Sequence, residues 1–209
     1  MAKKPKPSGT VQDSTPFELD TPVQMDMSDE ALITFGPPVA GGLSFHDVGY
    51  MPVNAMTIAG NTRNLPGGGL DRMFISYEAD GVQHFDPTSG RPTTADYTGL
   101  HYELWSYKGQ ATFGHAADGT PTVSGPGSHS DPLHKTLIAR GDLLQGHLAS
   151  GMDGGISGEV DVSVLVNGQR VGELDISVRH SARDIGPAPG GFTLTGGALH
   201  ATFVPLHTG

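Results

Sequence analysis

The sequence pattern of residues 158–179 predicts one β-hairpin, and this segment constrains the fold more than any other. Its first arm, 158–166, places a valine at every second position, and its second arm, 169–179, alternates apolar with polar residues in the same way. Asn167-Gly168 separates the arms, and this dipeptide is typical of a tight turn between antiparallel strands. A period of two on both sides of a turn signal predicts that the two arms pair.

The register of this hairpin follows from which side chains must share a face. A plain two-residue turn would set Val162 opposite Glu173. Cross-strand partners lie on the same face of a sheet, so this register would mix apolar with charged side chains. An extra residue on one arm repairs the mismatch. We therefore predict either a three-residue turn with Gly168 in the left-handed conformation or a bulge near Gly172.

The same alternation recurs along the chain, and no segment shows convincing helical periodicity. The strands read from it are 30–35, 43–47, 55–59, 72–78, 82–85, 100–107, 110–115, 136–148 and 192–204, with Gly196-Gly197 bending the last one. Together with the hairpin and a short pairing after Asp118-Gly119, roughly nine to eleven short strands at hairpin spacing predict an all-β fold. The architecture is an antiparallel barrel or a two-sheet sandwich.

Particular pairings and boundaries also follow from the pattern. Lys108-Gly109 predicts a hairpin of 100–107 with 110–115, in which Leu104 faces Phe113. The stretch 86–98 is expected to be a loop, as are 115–134 (apart from the short pairing) and 180–191. Strand count and hairpin rhythm resemble those of small eight-stranded barrels such as the allene oxide cyclase and dirigent group, a fold analogy that carries no function.

Domain organisation is read from where the alternation begins. Residues 1–15 lack apolar periodicity and carry Lys, Pro, Ser and Gly, so we predict a disordered N-terminal tail there. Residues 16–209 are predicted to form a single antiparallel β domain. The N-terminus is basic, but no apolar segment of a signal peptide follows it. Localisation is therefore either secretion by a route independent of a signal peptide or the cytoplasm.

Composition excludes several functional classes. The chain has no Cys, which excludes a thiol nucleophile, disulfides and thiolate metal sites. Its formal net charge of -10 argues against nucleic-acid binding, which needs clustered positive charge. No apolar run approaches the ~20 residues of a membrane helix, so no membrane insertion is expected. An acidic, cysteine-free protein of this kind is left with self-association or a small-molecule ligand as partners.

The aromatic strand 100–107 carries the candidate catalytic residues. Its two faces hold His101, Glu103, Trp105 and Tyr107 on one side and Leu100, Tyr102 and Leu104 on the other. Alternation does not decide which face turns inward. If the Trp105 face lines a barrel lumen, Glu103 and His101 could serve there as an acid–base pair, with His115 from the next strand beside them. A concave lumen with aromatic walls also suits an apolar small molecule.

Two groups of residues are candidate metal ligands. His129, Asp131 and His134 stand close together in one loop and could bind Zn²⁺, although their spacing matches no closed motif. Asp161 and Asp175 lie on the polar face of the late hairpin, where neighbouring carboxylates could bind Ca²⁺. The alternative for each group is a solvated polar surface.

Two functional hypotheses follow from these readings. The first is a non-catalytic β-rich protein for binding or assembly, exported or surface-associated in a bacterium. It rests on the Gly- and Asp-rich strands, the missing Cys, the acidic composition and the lack of a nucleophile or phosphate-loop motif. The second is a small β-barrel enzyme or carrier, cyclase- or isomerase-like, that acts on an apolar small molecule in its lumen. The orientation of strand 100–107 discriminates between a lined cavity and a filled core.

Overall fold

The computed structural model describes residues 22–58, 60–64, 72–125 and 135–206. Within these ranges the chain forms twelve strands and a short 3-10 turn at Ala182–Asp184. The strands are β1 (Val23–Val39), β2 (Gly42–Ile58), β3 (Asn61–Asn64), β4 (Arg72–Phe85), β5 (Pro92–Tyr107), β6 (Thr112–His115), β7 (Pro121–Ser124), β8 (Lys135–Ser150), β9 (Ile156–Val166), β10 (Gln169–His180), β11 (Ile185–Ala188) and β12 (Gly191–Pro205). None of the described residues forms a helix long and apolar enough to cross a membrane.

Eight of these strands close into an antiparallel barrel. The order around it is β1-β12-β10-β9-β8-β5-β4-β2, and pairing between β1 and β2 completes the circle. β3 adds to β2, β11 adds to β12, and β6 with β7 forms a separate two-stranded sheet. The all-β prediction is confirmed, and of its two architectures the structure adopts the barrel. The predicted tail 1–15 lies outside the described residues, and a single domain over 16–209 stays a prediction.

The barrel strands are longer than the sequence pattern predicted. β1 runs on to Val39 through the Gly36-Pro37-Pro38 segment that was expected to end it, and β5 begins at Pro92 inside the expected loop 86–98. The reason is that these residues pair at the barrel rim: Pro38 lies opposite Leu43, and Pro92 opposite Phe85. The expected loop 180–191 similarly contains the 3-10 turn and β11.

The late hairpin forms as β9 and β10, and its register contains the predicted correction. Asn167 and Gly168 make a two-residue turn, both with positive φ, so the three-residue turn is wrong. The predicted bulge is confirmed, because the register shifts between Arg170 and Gly172. Beyond the bulge Leu174 faces Val162, and apolar side chains of both strands share the inner face.

The predicted hairpin between 100–107 and 110–115 is wrong. β5 pairs with β4 along one edge and with β8 along the other, so neither edge is left for β6. β6 instead pairs with β7 through the predicted turn at Asp118-Gly119. Phe113 does not face Leu104. It packs outside the barrel against Phe74 and Tyr50, with ring centroids 5.5 and 6.1 Å away.

The barrel interior divides into an apolar end and a polar end. At the end where β1 begins, the lumen is filled by buried side chains, among them Val23, Met25, Leu104, Val162, Val164, Leu174, Leu199 and Phe203. Removing their apolar surface from water is the main favourable contribution to folding. Towards the other end of β1 the inward positions include charged and hydroxyl-bearing residues, and these form the candidate site.

Gly49 allows a large ring to cross the lumen at this boundary. It is an inward residue of β2 and lies opposite Tyr77 of β4. A Cβ at position 49 would lie 2.7 Å from the Tyr77 hydroxyl oxygen and 2.8 Å from the carbon that bears it. Only a residue without a side chain leaves room for Tyr77 at this position.

We predict that Gly49→Ala destabilises the fold by about 1–3 kcal/mol through overpacking. Tyr77 is hydrogen-bonded and buried, so its ring cannot withdraw without losing these bonds. Gly99→Ala is the matched control, because a Cβ there meets no atom within 4 Å. Urea unfolding of both variants measures the difference. Equal midpoints for the two variants would contradict the prediction.

Candidate functional site

The predicted catalytic pair does not line the lumen. β5 turns Tyr102 and Leu104 inward, where both are buried, so His101 and Glu103 lie on the outer face. The His101 side chain is 55% exposed, and its Nδ1 lies 2.9 Å from Asp142 Oδ1. The predicted lumenal placement is therefore wrong. The orientation keeps the Glu103 carboxylate and the His101 imidazole out of the lumen, where burying them without partners would be costly.

The three predicted catalytic residues fall into two places. His101 and Glu103 line an outer groove of about 330 Å³ on β2, β4 and β5. His115 lies instead against β1, with Nδ1 3.2 Å from Glu30 Oε2 and Nε2 3.0 Å from the carbonyl oxygen of Ala31. The structure therefore brings His101 and Glu103 together but leaves His115 out of this groove. A catalytic role for them stays a prediction.

Of the two predicted groups of metal ligands, only one lies within the described residues. His129, Asp131 and His134 lie outside the described residues. Asp161 and Asp175 face each other on the outer side of β9 and β10, and the Gln145 amide donates to Asp161. Partial burial, and then Asp161 and its acidic neighbours, raise the pKa of Asp175. In the described part of the chain no group of three or more His, Asp or Glu could hold a metal ion. Binding of Ca²⁺ or Zn²⁺ stays a prediction.

Five polar side chains converge inside the barrel, and sequence reasoning missed all of them. We call them the lumenal cluster: Asp29 of β1, Asp47 of β2, Tyr77 of β4, Tyr97 of β5 and His180 of β10. Asp29, Asp47 and His180 are almost completely buried, at 3%, 1% and 2% exposure. Buried ionisable groups are costly unless they contact one another, and their clustering marks a candidate functional site.

The hydroxyl of Tyr77 bridges the two carboxyl groups of the cluster. Its oxygen lies 3.2 and 3.3 Å from the two oxygens of Asp29 and 3.2 Å from Asp47 Oδ1. A phenol has one proton and can donate it to only one carboxylate. The second contact is favourable only if the other carboxyl group carries a proton and donates it to the phenol oxygen. Tyr97 donates to the remaining Asp47 oxygen, Oδ2, at 2.9 Å.

Asp47 is the carboxyl group that holds this proton. Burial, and then the negative charge of Asp29, raise the pKa of Asp47 to about 8, although hydrogen bonds from Tyr97 and Tyr77 act in the opposite direction. Burial and the same carboxyl groups also raise the pKa of Tyr77 and Tyr97 well above the usual value of a phenol. At neutral pH the cluster therefore contains a neutral Asp47 and two neutral tyrosines.

His180 is the member without a hydrogen bond. Its Nε2 lies 3.5 Å from Asp29 Oδ2, close enough for electrostatic attraction. Both ring nitrogens are buried, and neither has a hydrogen-bond partner among the described residues. A buried polar group left in this state costs about 1–3 kcal/mol. The ring lies against Gly197, where a Cβ would come within 2.5 Å of its Nδ1.

A bulge in β12 makes room for this histidine. Met27 of β1 faces Leu199, but Asp29 faces Gly196, so two residues of β12 stand opposite Ser28 alone. Gly196 and Gly197 both have positive φ, which glycine adopts without strain. The bend predicted at Gly196-Gly197 is confirmed, and bulges of this kind often lie next to functional sites.

The lumenal cluster borders a cavity with apolar walls. The cavity has a volume of about 40 Å³, and Asp29, Tyr77, Tyr97 and His180 line it together with side chains such as Leu100, Val160 and Leu194. A space of this size admits a group of roughly two or three heavy atoms. It shares Ile33, Tyr97, Leu148 and Ile156 with a second cavity of about 20 Å³ at the barrel rim.

This rim cavity is the apolar mouth of the lumen. Its lining is mostly apolar, with Phe35, Phe45, Ala95 and Phe192, and also includes Gln83 and Ser150. Its rings include the contact between Phe35 and Phe192, with centroids 5.9 Å apart. The arrangement thus places an apolar entrance on one side and convergent polar groups on the other, which is the usual construction of a small-molecule site.

The sequence does contain a signal for the lumenal cluster. Asp47 falls between Phe45 and Met51 in the alternation of β2, and His180 extends the row Leu174, Ile176, Val178. A polar residue at an apolar position of a strand is the pattern to look for. That these positions converge on one point of the lumen depends on the barrel register, which the pattern does not give.

Comparison of the chain with protein-family models, with curated proteins and with solved structures gives no significant match in any of the three. The site is therefore interpreted from its own geometry.

We predict that Asp47→Asn flattens the pH dependence of stability. Folded Asp47 keeps its proton up to about pH 8, whereas an unperturbed Asp releases it near 3.8. The folded state binds more protons between these values, so the free energy of unfolding falls as pH rises through this window. Asparagine does not titrate and can make the same hydrogen bonds. The free energy of unfolding of the variant should therefore fall less steeply with pH than that of the wild type, by about 1 kcal/mol per pH unit.

The measurement is urea unfolding at several pH values between about 5 and about 8, the window of this titration. Asp142→Asn serves as the control, since the Asp142 side chain is 70% exposed, and it should keep the slope of the wild type. If Asp47→Asn and the wild type lose stability in parallel over this range, Asp47 does not hold the proton.

Proposed function

We propose that the protein binds a small molecule in its lumen, with the polar end of the ligand at the lumenal cluster and its apolar part towards the mouth. The observation that carries this proposal is His180, a buried side chain beside a cavity, whose two nitrogens make no hydrogen bond to any of the described residues. A ligand with a polar oxygen in this cavity would contact the buried polar groups that line it, His180 and Tyr97 among them, and so offset the cost of their burial.

The charges around the cavity favour a neutral ligand. Asp29 lines the cavity, and no Lys or Arg is among the lining residues. A carboxylate or phosphate would lose its hydration and face the Asp29 carboxylate without a compensating cation. A ketone, aldehyde or alcohol carries an oxygen that can hydrogen-bond but no charge. The class of ligand that fits is therefore a neutral carbonyl or hydroxyl compound with a small apolar body.

Two isosteric probes test this proposal. The two molecules have the same shape: where 2-butanone has a methyl group on the carbonyl carbon, propionate has a charged oxygen. In each, the polar end would occupy the inner cavity and the ethyl group would extend towards the rim cavity. We expect 2-butanone to shift the backbone amide signals of residues around the lumenal cluster in a saturable NMR titration. Propionate should produce no such shifts at the same concentrations, because of its charge.

His180→Phe is the matched variant, since it keeps a ring in the same place and removes both nitrogens. It should fold at least as stably as the wild type, because a buried unsatisfied group is removed, and should bind 2-butanone more weakly. The proposal is overturned if neither probe shifts lumenal signals, or if propionate binds as well as 2-butanone.

This proposal develops the carrier expectation drawn from the sequence, with different lining residues. The other expectation, a non-catalytic assembly or surface-associated protein exported from a bacterium, stays a prediction. The expected absence of nucleic-acid binding also stays a prediction.

A further inference from the structure

We propose that the lumen is a catalytic site for proton transfer at a carbon next to a carbonyl group, with His180 as the base and Tyr97 as the donor to the carbonyl oxygen. This inference rests on the proposed function, because it requires a carbonyl compound in the cavity. It adds a reaction class, keto–enol exchange or isomerisation, to a binding site.

His180 has the features of a base. A neutral imidazole has one nitrogen with a free lone pair, and no hydrogen bond among the described residues occupies either nitrogen. The Asp29 carboxylate, 3.5 Å from Nε2, would stabilise the imidazolium that forms when the ring accepts a proton. The pair thus combines a base with a group that stabilises its charged form, as in carboxylate–histidine dyads of enzymes.

Tyr97 is placed to polarise the carbonyl group. It lines both the inner cavity and the mouth, so a ligand that enters the lumen passes its ring. Without ligand, its hydroxyl donates to Asp47 Oδ2. A protonated Asp47 allows this bond to reverse: its proton moves from Oδ1, where it is donated to Tyr77, to Oδ2, so that Asp47 donates to Tyr97 and Tyr97 donates to the ligand oxygen. Tyr77 then keeps the bond that it donates to Asp29. An ionised Asp47 would hold the Tyr97 proton and prevent this reversal. Asp47 is therefore a positioning residue.

The step balances without a further reactant. His180 takes a proton from the carbon next to the carbonyl group, and the C–H electron pair becomes the second bond of a C=C. The carbonyl π pair moves to oxygen, which takes the Tyr97 proton, and Tyr97 takes the proton of Asp47. In the reverse direction the enol gives its proton back to Tyr97, Tyr97 gives one back to Asp47, and the imidazolium of His180 returns a proton to a carbon. Return to the same carbon gives exchange once the imidazolium proton has been replaced by a deuteron from the solvent, and return to a conjugated carbon gives an isomer. No electron acceptor is involved.

The lumen suits this chemistry better than the outer groove with His101 and Glu103. His101 is more than half exposed there and is paired with Asp142. Hydrogen bonds and charges act more strongly in a water-excluded space, where the donors are already oriented. The groups that face Asp47 are Asp29 from β1, Tyr77 from β4 and Tyr97 from β5. Its protonation is therefore set inside the lumen.

The test is hydrogen–deuterium exchange of 2-butanone in D₂O, followed by proton NMR. The methyl and methylene protons next to the carbonyl group exchange, whereas the distant methyl group does not and serves as an internal reference. We expect the wild-type protein to accelerate exchange roughly 10²-fold over protein-free buffer, the usual minimum for a positioned base. His180→Gln should abolish the acceleration, and His101→Gln, changed only on the outer face, should retain it.

The pH profile tests the role of Asp47 separately from folding. The wild-type acceleration should fall above about pH 8, where Asp47 ionises. Asp47→Asn still donates to Tyr97 and does not titrate, so its rate should be lower but should show no fall there. A structural role for Asp47 alone would leave both proteins with the same profile.

Binding and catalysis fail in different ways. If 2-butanone titrates the lumenal signals but exchanges no faster than in buffer, the catalytic inference is overturned and the proposed function stands. If 2-butanone does not bind, both are overturned. Acceleration that survives in a folded His180→Gln protein would show that His180 is not the base.

Discussion

The closed barrel imposes one constraint on which the rest of this structure depends. Eight strands enclose a lumen just wide enough for their own side chains, so the inward residues in the body of the barrel are largely removed from water. Pairing of β1 with both β2 and β12 leaves the circle without an open edge. Each inward residue must therefore be apolar or find a partner across the lumen. At the end with Val23, Met25 and Phe203 the inward residues are apolar and are buried against one another.

At the other end the inward residues are polar, and they find partners across the lumen through one tyrosine. Tyr77 reaches Asp29 and Asp47 only because Gly49 leaves space beside its ring. Because its hydroxyl oxygen contacts both carboxyl groups and has one proton to donate, one of the two must be neutral, since two buried negative charges would repel without compensation. The geometry of the fold thus sets the protonation of Asp47, and through Asp47 the direction in which Tyr97 can donate.

The sequence predicted those features that depend on neighbours along the chain. Alternation and the Asn167-Gly168 turn were sufficient for the late hairpin, and the mixed register that a plain turn would cause predicted the bulge near Gly172. Closure into a barrel was left open against a sandwich, because it depends on pairing between β1 and β12, the first and last strands of the barrel. The hairpin proposed for 110–115 failed for the same reason: a turn signal cannot show that β4 and β8 already occupy both edges of β5.

The candidate site was missed because inward and outward faces of a strand look alike when both carry aromatic and polar residues. For 100–107 the sequence predicted His101 and Glu103 as site residues, but the structure buries Tyr102 and Leu104 and leaves His101 on the outer face. Asp47 and His180 occupy strands whose inward face is otherwise apolar, and there the alternation itself marks them as exceptions. No local pattern in the sequence shows that the five residues of the lumenal cluster meet at one point. Their convergence requires five strands at a common height in the lumen.

These exceptions have a physical cost that stability alone does not explain. In the described part of the chain His180 is buried without a hydrogen bond, Asp47 must be kept neutral, and Gly196 and Gly197 bend β12 at the same level. An apolar residue at 180 and an asparagine at 47 would satisfy the same fold at lower cost. Violations of local rules that gather at one point, beside a cavity with an apolar mouth, are what a functional site produces in an otherwise consistent structure. The dense apolar end of the barrel supplies the stability that allows the other end to retain them.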